Sequence, residues 1–311
     1  MLDPSLNNLL IETIASNIKS KEMDEIGRML NKKFNLYDLA EKTSVVTIGA
    51  RSAATVLVEN MESINKLHDF IKLLAELDNN QILGRTLQME GYDYFLQQFT
   101  HTGYFYDFTK RKVLPIKTES KEMSNWGALK DGKSYPITII SVDIVANSRL
   151  VNKHGDKVMK KVYTNLWKFL RNSLSHTDGR IWTWAGDGGI LAFAFKDQIE
   201  RAVKFSVEVQ RTITLFNMEK HNPIQDYIEL RLGINTGKLV YHNDTGQIIS
   251  EVINLAAHLE KNKTIPGGIS VTEKVFTSIN PKLQSIFRGI GNFEGVPCFQ
   301  SERLDQILCL D

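Results

Sequence analysis

Apolar residues recur every three or four positions from Ser5 to about Leu77: Leu6, Leu9, Leu10, Ile14 and Ile18, then Ile64, Leu67, Phe70, Ile71, Leu74 and Leu77. That spacing predicts amphipathic helices, and their succession predicts a small helical bundle over residues 1–78. Such a bundle is either an interaction and regulatory module or a plain packed support, because helical periodicity reports only a buried face. Aromatic residues crowd the next stretch, from Tyr92, Tyr94, Phe95 and Phe99 to Tyr104, Phe105, Tyr106 and Phe108. Density of this kind predicts core rather than a ligand pocket, and YFYDFTKRKVLPI predicts a hairpin turning near Thr109 and Lys110. The chain then becomes polar around Gly127 and Gly132, so residues 79–135 are expected to be an aromatic-rich connecting segment ending in a linker.

From Pro136 strands and helices alternate. PITIISVD is an apolar, β-branched run, followed by a helix whose apolar face is Met159, Val162, Tyr163, Leu166, Leu170 and Leu174. RIWTWA and ILAFAF flank GDGG, where Asp-Gly is expected to supply the positive φ angles of a tight hairpin. A helix with Ala202, Phe205, Val209, Ile213 and Phe216 on one face comes next, then two strands, IELRLGIN and KLVYH, the helix EVINLAAHLEK and the strand GGISVT. The order βαββαβ over residues 136–304 predicts an α/β (α+β) chain: a ferredoxin-like domain preceded by the helical bundle. That superfold leaves function open.

Composition narrows the classes. The chain has 311 residues, 42% of them hydrophobic, enough for two domains with packed cores. Lys plus Arg number 38 against 36 Asp plus Glu, so there is no basic excess to suggest nucleic-acid binding. Cys298 and Cys309 are the only cysteines, and no Cys/His cluster offers zinc spacing. No basic leader or long apolar run opens the chain, which predicts neither membrane span nor export and points to the cytoplasm.

Two carboxylates carry the candidate chemistry. Asp143 ends the first strand of the second domain and Asp187 sits in the hairpin turn, an arrangement that can bring them to one edge of a sheet. There they can hold two Mg²⁺ or Mn²⁺ ions, with substrate phosphates completing the shell. Taken singly, each is an ordinary strand-end or turn aspartate.

Their surroundings resemble the class III nucleotide cyclases, the family of the adenylate and guanylate cyclase catalytic domains. DIVANSRL is similar to that family's first metal motif, and DGRIWTWAGDGGILAF to its second. LRLGINTG, EVINLAAHLE and PGGISVT follow in the family's order. The resemblance implies that Asp143 and Asp187 are metal ligands and that Asn254 positions the ribose. Lys238 would contact the triphosphate. It also implies a head-to-tail homodimer in which metals and Asn254 come from different subunits. The helical module resembles the death-like effector-associated domains fused to signalling enzymes, which implies a protein partner.

Several positions depart from the family pattern. His258 stands four residues after Asn254, where the family has its transition-state arginine, and an imidazole cannot form a bidentate fork. Glu294 replaces a triphosphate-binding lysine, and Ala146 replaces a glycine of the first motif. The resemblance puts Thr183 and Gln247 at the family's base-reading positions, where they match neither the adenylate nor the guanylate pattern. Trp182 and Trp184 are expected in the core rather than stacked on a base. Two functions stand: a nucleoside triphosphate cyclase, or a catalytically degenerate cyclase-homology domain that binds nucleotide or acts as a dimeric interaction module.

Overall fold

The computed structural model describes residues 2–41, 47–117, 123–219 and 222–305. The chain forms two compact units, Met1–Lys130 and Asp131–Asp311. Part of the predicted linker, residues 118–122, lies outside the described residues, as does Cys309.

The first unit is a helical bundle with two small hairpins. Its helices are α1 (Pro4–Asn17), α2 (Ser20–Leu30), α3 (Leu36–Leu39), α4 (Ala50–Ser63), α5 (Leu67–Leu77) and α6 (Tyr92–Phe99). Asp3 caps α1 by accepting from the amides of Ser5 and Leu6. Leu10, Ile14, Met23, Ile26, Leu57 and Phe70 fill the core. The hairpins are β1 (Gln81–Ile82) with β2 (Arg85–Thr86), and β3 (Tyr104–Asp107) with β4 (Lys112–Pro115). The second is the hairpin expected from YFYDFTKRKVLPI. Tyr92, Phe95 and Phe99, expected as core aromatics, are buried and stack successively along α6. Arg85 clamps the buried Glu22 with Nε–Oε1 and Nη2–Oε2 distances of 2.6 and 2.5 Å, which pins β2 to α2 and holds the Glu22 carboxyl below its usual range.

The second unit contains β5 (Ser134–Ile144), α7 (Asn147–His154), α8 (Asp156–Leu174), β6 (Arg180–Ala185), β7 (Gly188–Ala194), α9 (Gln198–Met218) and β8 (Leu230–Val240). Next come α10 (Glu251–Lys263), β9 (Ile269–Thr272), α11 (Glu273–Ser278), α12 (Pro281–Gln284), β10 (Phe287–Phe293) and β11 (Val296–Ser301). The seven strands make one sheet in the order β10-β11-β9-β8-β5-β7-β6, antiparallel throughout except for β8 beside β9. The bundle followed by a mixed α/β domain is therefore as the sequence predicts.

Alternation along the central strands separates two faces. Ile140, Val142 and Ile144 of β5 and Leu230, Leu232 and Ile234 of β8 point into the core shared with α8 and α9. Gly233, Asn235 and Gly237 point the other way, toward α10: Asn235 donates to the Val252 carbonyl, and a Cβ on Gly233 would lie 2.3 Å from the Ala256 carbonyl oxygen. Asp143 and Arg231, opposite one another in the β5–β8 register, lie on this α10 face.

Two local expectations are corrected. IELRLGIN and KLVYH are not two strands: β8 runs unbroken because every residue from Leu230 to Val240 pairs with β5. The β6–β7 turn takes its positive φ from Gly186, at 67°, and not from Asp187-Gly188. Ala185 pairs with Gly188, so the loop is Gly186-Asp187 with glycine first, as in a type II′ turn.

Candidate active site

Asp143 is the next-to-last residue of a strand hydrogen-bonded on both sides, so its position is set by register. Across β8 it faces Arg231, whose Nη2 donates to Asp143 Oδ2 at 2.6 Å. Across β7 it faces Gly188, the residue after Asp187. A Cβ on Gly188 would lie 2.4 Å from the Val142 carbonyl oxygen and 3.4 Å from Asp143 Oδ1, so only glycine lets the Asp187 turn close on Asp143. The two predicted carboxylates are thus brought to one end of the sheet. Burial pushes the Asp143 carboxyl up; Arg231 opposes that shift and the charge of Asp187 adds to it.

A third acid completes the group. Glu260 of α10 keeps only 6% of its side chain exposed, and its Oε1 lies 3.0 Å from Arg231 Nε without hydrogen-bond alignment. Burial, then the charge of Asp143, push its carboxyl from 4.5 to about 7. Its folded state holds an extra proton between those values, so the stability this group contributes is complete below about pH 4.5 and is lost as pH rises through about 7. Glu260→Gln is therefore expected to stabilise the protein at pH 8 by up to about 3 kcal/mol. Chemical denaturation at pH 8 and pH 5 checks this; a gain that does not shrink at pH 5 would contradict it.

Beyond Asp143 the chain turns into α7 through Ala146, which has φ 52° and ψ 34°. A left-handed alanine explains why glycine suits this place. Ala146→Gly should raise stability by roughly 0.5–1 kcal/mol, read from thermal melts. Asn147, the first residue of α7, accepts from the Tyr163 hydroxyl at 2.7 Å. Burial raises that hydroxyl's pKa; the Asn147 bond opposes the shift, and the nearby Asp187 charge adds to it.

Asn254 and His258 lie on the exposed stripe of α10, one turn apart, on a helix capped by Ser250. His258 Nδ1 is 2.8 Å from Glu294 Oε1. The two departures flagged in the sequence therefore meet. Glu294 and Gly295 form the two-residue turn between β10 and β11 with φ 48° and 80°, the pattern of a type I′ turn that favours Asn-Gly. Holding glutamate there costs about 1–2 kcal/mol, more than an exposed ion pair usually returns.

The profile of the adenylate and guanylate cyclase catalytic domain family matches residues 129–296, more than half of the chain. The chain belongs to that family. No curated protein matches it closely enough to count. Among solved structures, the guanylate cyclase domain of RhGC from Catenaria anguillulae, in complex with GTP, is 16% identical with a TM-score of 0.47, covering 55% of this chain and 98% of its own. The adenylate/guanylate cyclase/hydrolase from Silicibacter pomeroyi is 23% identical with a TM-score of 0.46, covering 54% and 97%. The adenylyl cyclase CyaB from P. aeruginosa is 19% identical with a TM-score of 0.47, covering 55% and 95%.

Within the cyclase domain the remaining predicted residues fall into two places. Thr183 of β6 lies beside the turn Thr245–Gln247: a Cβ on Gly246 would be 3.8 Å from Thr183 Cγ2, and Thr245 donates to the Trp182 carbonyl at 2.5 Å. Thr183 and the turn bearing Gln247 are thus neighbours, with the Gln247 amide donating to Asp244 at 2.8 Å. Trp182 packs against Tyr241, and Trp184 against the α8–α9 core, as expected of core residues. Lys238 sits opposite Pro136, at the other end of β8 from Arg231 and so roughly 23 Å along the strand from it.

Arg231 and Glu260 were not singled out from sequence. Arginine inside the apolar run LRLGIN was the available signal, since a charged residue is seldom drawn into a sheet unless paired.

The acid edge suits a divalent cation. Asp143 and Glu260 share one guanidinium, the charge of Asp187 acts on Asp143 as well, and burial weakens the ionisation of Asp143 and Glu260. Among the described residues no group of three or more His, Cys, Asp or Glu surrounds a metal position. Two carboxylates with most of the shell left to phosphates is the arrangement Mg²⁺ prefers.

Proposed function

We propose that residues 136–304 are a nucleoside triphosphate cyclase, a lyase forming a 3′,5′-cyclic nucleotide and pyrophosphate in signal transduction. The observation that carries this reading is the approach of Asp143 and Asp187 through Gly188 in a chain of the cyclase family. The strand order β8-β5-β7-β6, with α8 and α9 on one face, supports a ferredoxin-like βαββαβ core.

In this reading Asp143 and Asp187 hold two Mg²⁺ or Mn²⁺ ions. When bound, these activate the ribose 3′-oxygen and neutralise the phosphates. Arg231 offers a guanidinium that a phosphate oxygen can share with Asp143. Asn254 uses its exposed amide to orient the ribose, Thr183 and Gln247 border the base, and His258 stands at the α-phosphate. Two copies assemble head to tail, one giving Asp143 and Asp187 and the other Asn254 and His258. The helical module at residues 1–78 regulates the enzyme or engages a protein partner in the cytoplasm. No helix among the described residues is long and apolar enough to cross a membrane.

The test is the purified full chain with each of ATP, GTP, CTP and UTP and Mn²⁺, its products identified by mass spectrometry. A cyclic product from at least one is expected; none from any would end the enzyme reading. A second reading, a dimeric nucleotide-binding or interaction module, is favoured by the His258–Glu294 contact, which leaves no permanent cation on α10 at that place. It predicts binding without product.

A further inference from the structure

His258 and Glu294, separate departures in the sequence, form one unit in space. The carboxylate meets Nδ1 at 2.8 Å, and among the described residues nothing bonds Nε2, on a side chain that is 54% exposed. The turn that presents Glu294 is held from α10 a second time, by Lys263 Nζ at 5.4 Å from the Phe293 ring centre. Among the described residues the Glu294 side chain itself is repaid by one exposed ion pair, which does not explain a glutamate in a left-handed turn position by stability. A carboxylate on Nδ1 selects the tautomer whose lone pair sits on Nε2, the form in which imidazole accepts a proton.

We propose that Glu294 and His258 form a carboxylate–imidazole pair in which His258 Nε2 takes the proton of the attacking ribose 3′-hydroxyl; this rests on the cyclase reading above. The 3′-O–H bond breaks and its proton passes to Nε2. The oxygen's electron pair forms the bond to the α-phosphorus, and the bond from that phosphorus to the bridging oxygen breaks, so that pyrophosphate leaves with the pair. His258 is then an imidazolium beside the α-phosphate, braced by Glu294. One side chain thus removes the proton and supplies the positive charge that an arginine would carry permanently. Glu294 is a positioning residue: it faces the imidazole and not the phosphates.

The experiment joins a spectroscopic and a kinetic readout on the full chain. With ¹⁵N-labelled histidine, neutral His258 should show the Nδ1–H tautomer. It should revert to Nε2–H in Glu294→Ala and stay Nδ1–H in Glu294→Gln, whose amide oxygen still accepts. With Mn²⁺ and the triphosphate that the wild type cyclises, His258→Ala and His258→Arg should each lower kcat about 100-fold or more, with KM within about threefold. Glu294→Ala should lower kcat about tenfold, and Glu294→Gln less. Arginine decides between charge and proton transfer, because a permanent cation cannot accept a proton. His258→Arg at or above the wild-type rate overturns the proposal, and so does an Nε2–H tautomer in an active wild type; either leaves the cyclase reading standing. A wild type with the Nδ1–H tautomer and no product from any triphosphate overturns the cyclase reading itself, and this role with it.

Discussion

Asp143→Asn and Asp187→Asn, each made alone in the full chain, are expected to lower cyclic-nucleotide formation by at least about 100- to 1000-fold, the usual cost of removing one preorganised charge. Asparagine keeps an oxygen for Arg231 at position 143 and a polar tip at the turn, so melting temperatures should stay close to wild type. The charge, however, is gone from an edge where Asp143 and Glu260 share the Arg231 guanidinium and the charge of Asp187 lies close by. Binding of Mn²⁺ with a nucleoside triphosphate, followed by calorimetry, should weaken in both variants. Wild-type turnover in either one would remove that carboxylate from the site.

Mixing two dead subunits should restore activity. Asp143→Ala and Asn254→Ala are each inactive alone in this reading, yet a heterodimer of the two carries one site with both residues intact. Random exchange makes half of the dimers mixed, each with one working site of two, so recovery should approach roughly a quarter of the wild-type rate. Subunit exchange is verified with two affinity tags. Exchange without recovery would show that Asp143 and Asn254 do not serve one composite site.

Much of the second unit could be read from sequence because its strands and helices carry their own periods. Met159 through Leu174 and Ala202 through Phe216 mark α8 and α9 without ambiguity, and both faces of β5 announce a central strand. Strands β10 and β11 gave no such signal: Arg288 through Asn292 are exposed, so no alternation marks β10. The helix α6 was hidden by its own aromatics, which suit strands as well as helices. At the site, Asp143, Asp187, Asn254, His258 and Glu294 were visible as single positions. What joins them was not. The Arg231–Asp143 contact exists only once β5 and β8 take their register, and His258 meets Glu294 across 36 positions of sequence.

That register carries a wider consequence. In β5 both faces are largely apolar, so sliding it by one residue would expose less than in a strand with a polar side, while turning Asp143 away from α10. Three glycines oppose the slip. Gly188, Gly233 and Gly237 pair with Asp143, Ser141 and Ile137, and a Cβ at each would fall within 2.7 Å of the Val142 carbonyl, the Ala256 carbonyl and Val252 Cγ2. They act like the cuts of a key, admitting one alignment of three strands and a helix. For this chain, then, one set of glycines fixes both the packing of the sheet on α10 and the meeting of Asp143 with Arg231, so a side chain placed at any of the three is expected to cost stability and that edge together.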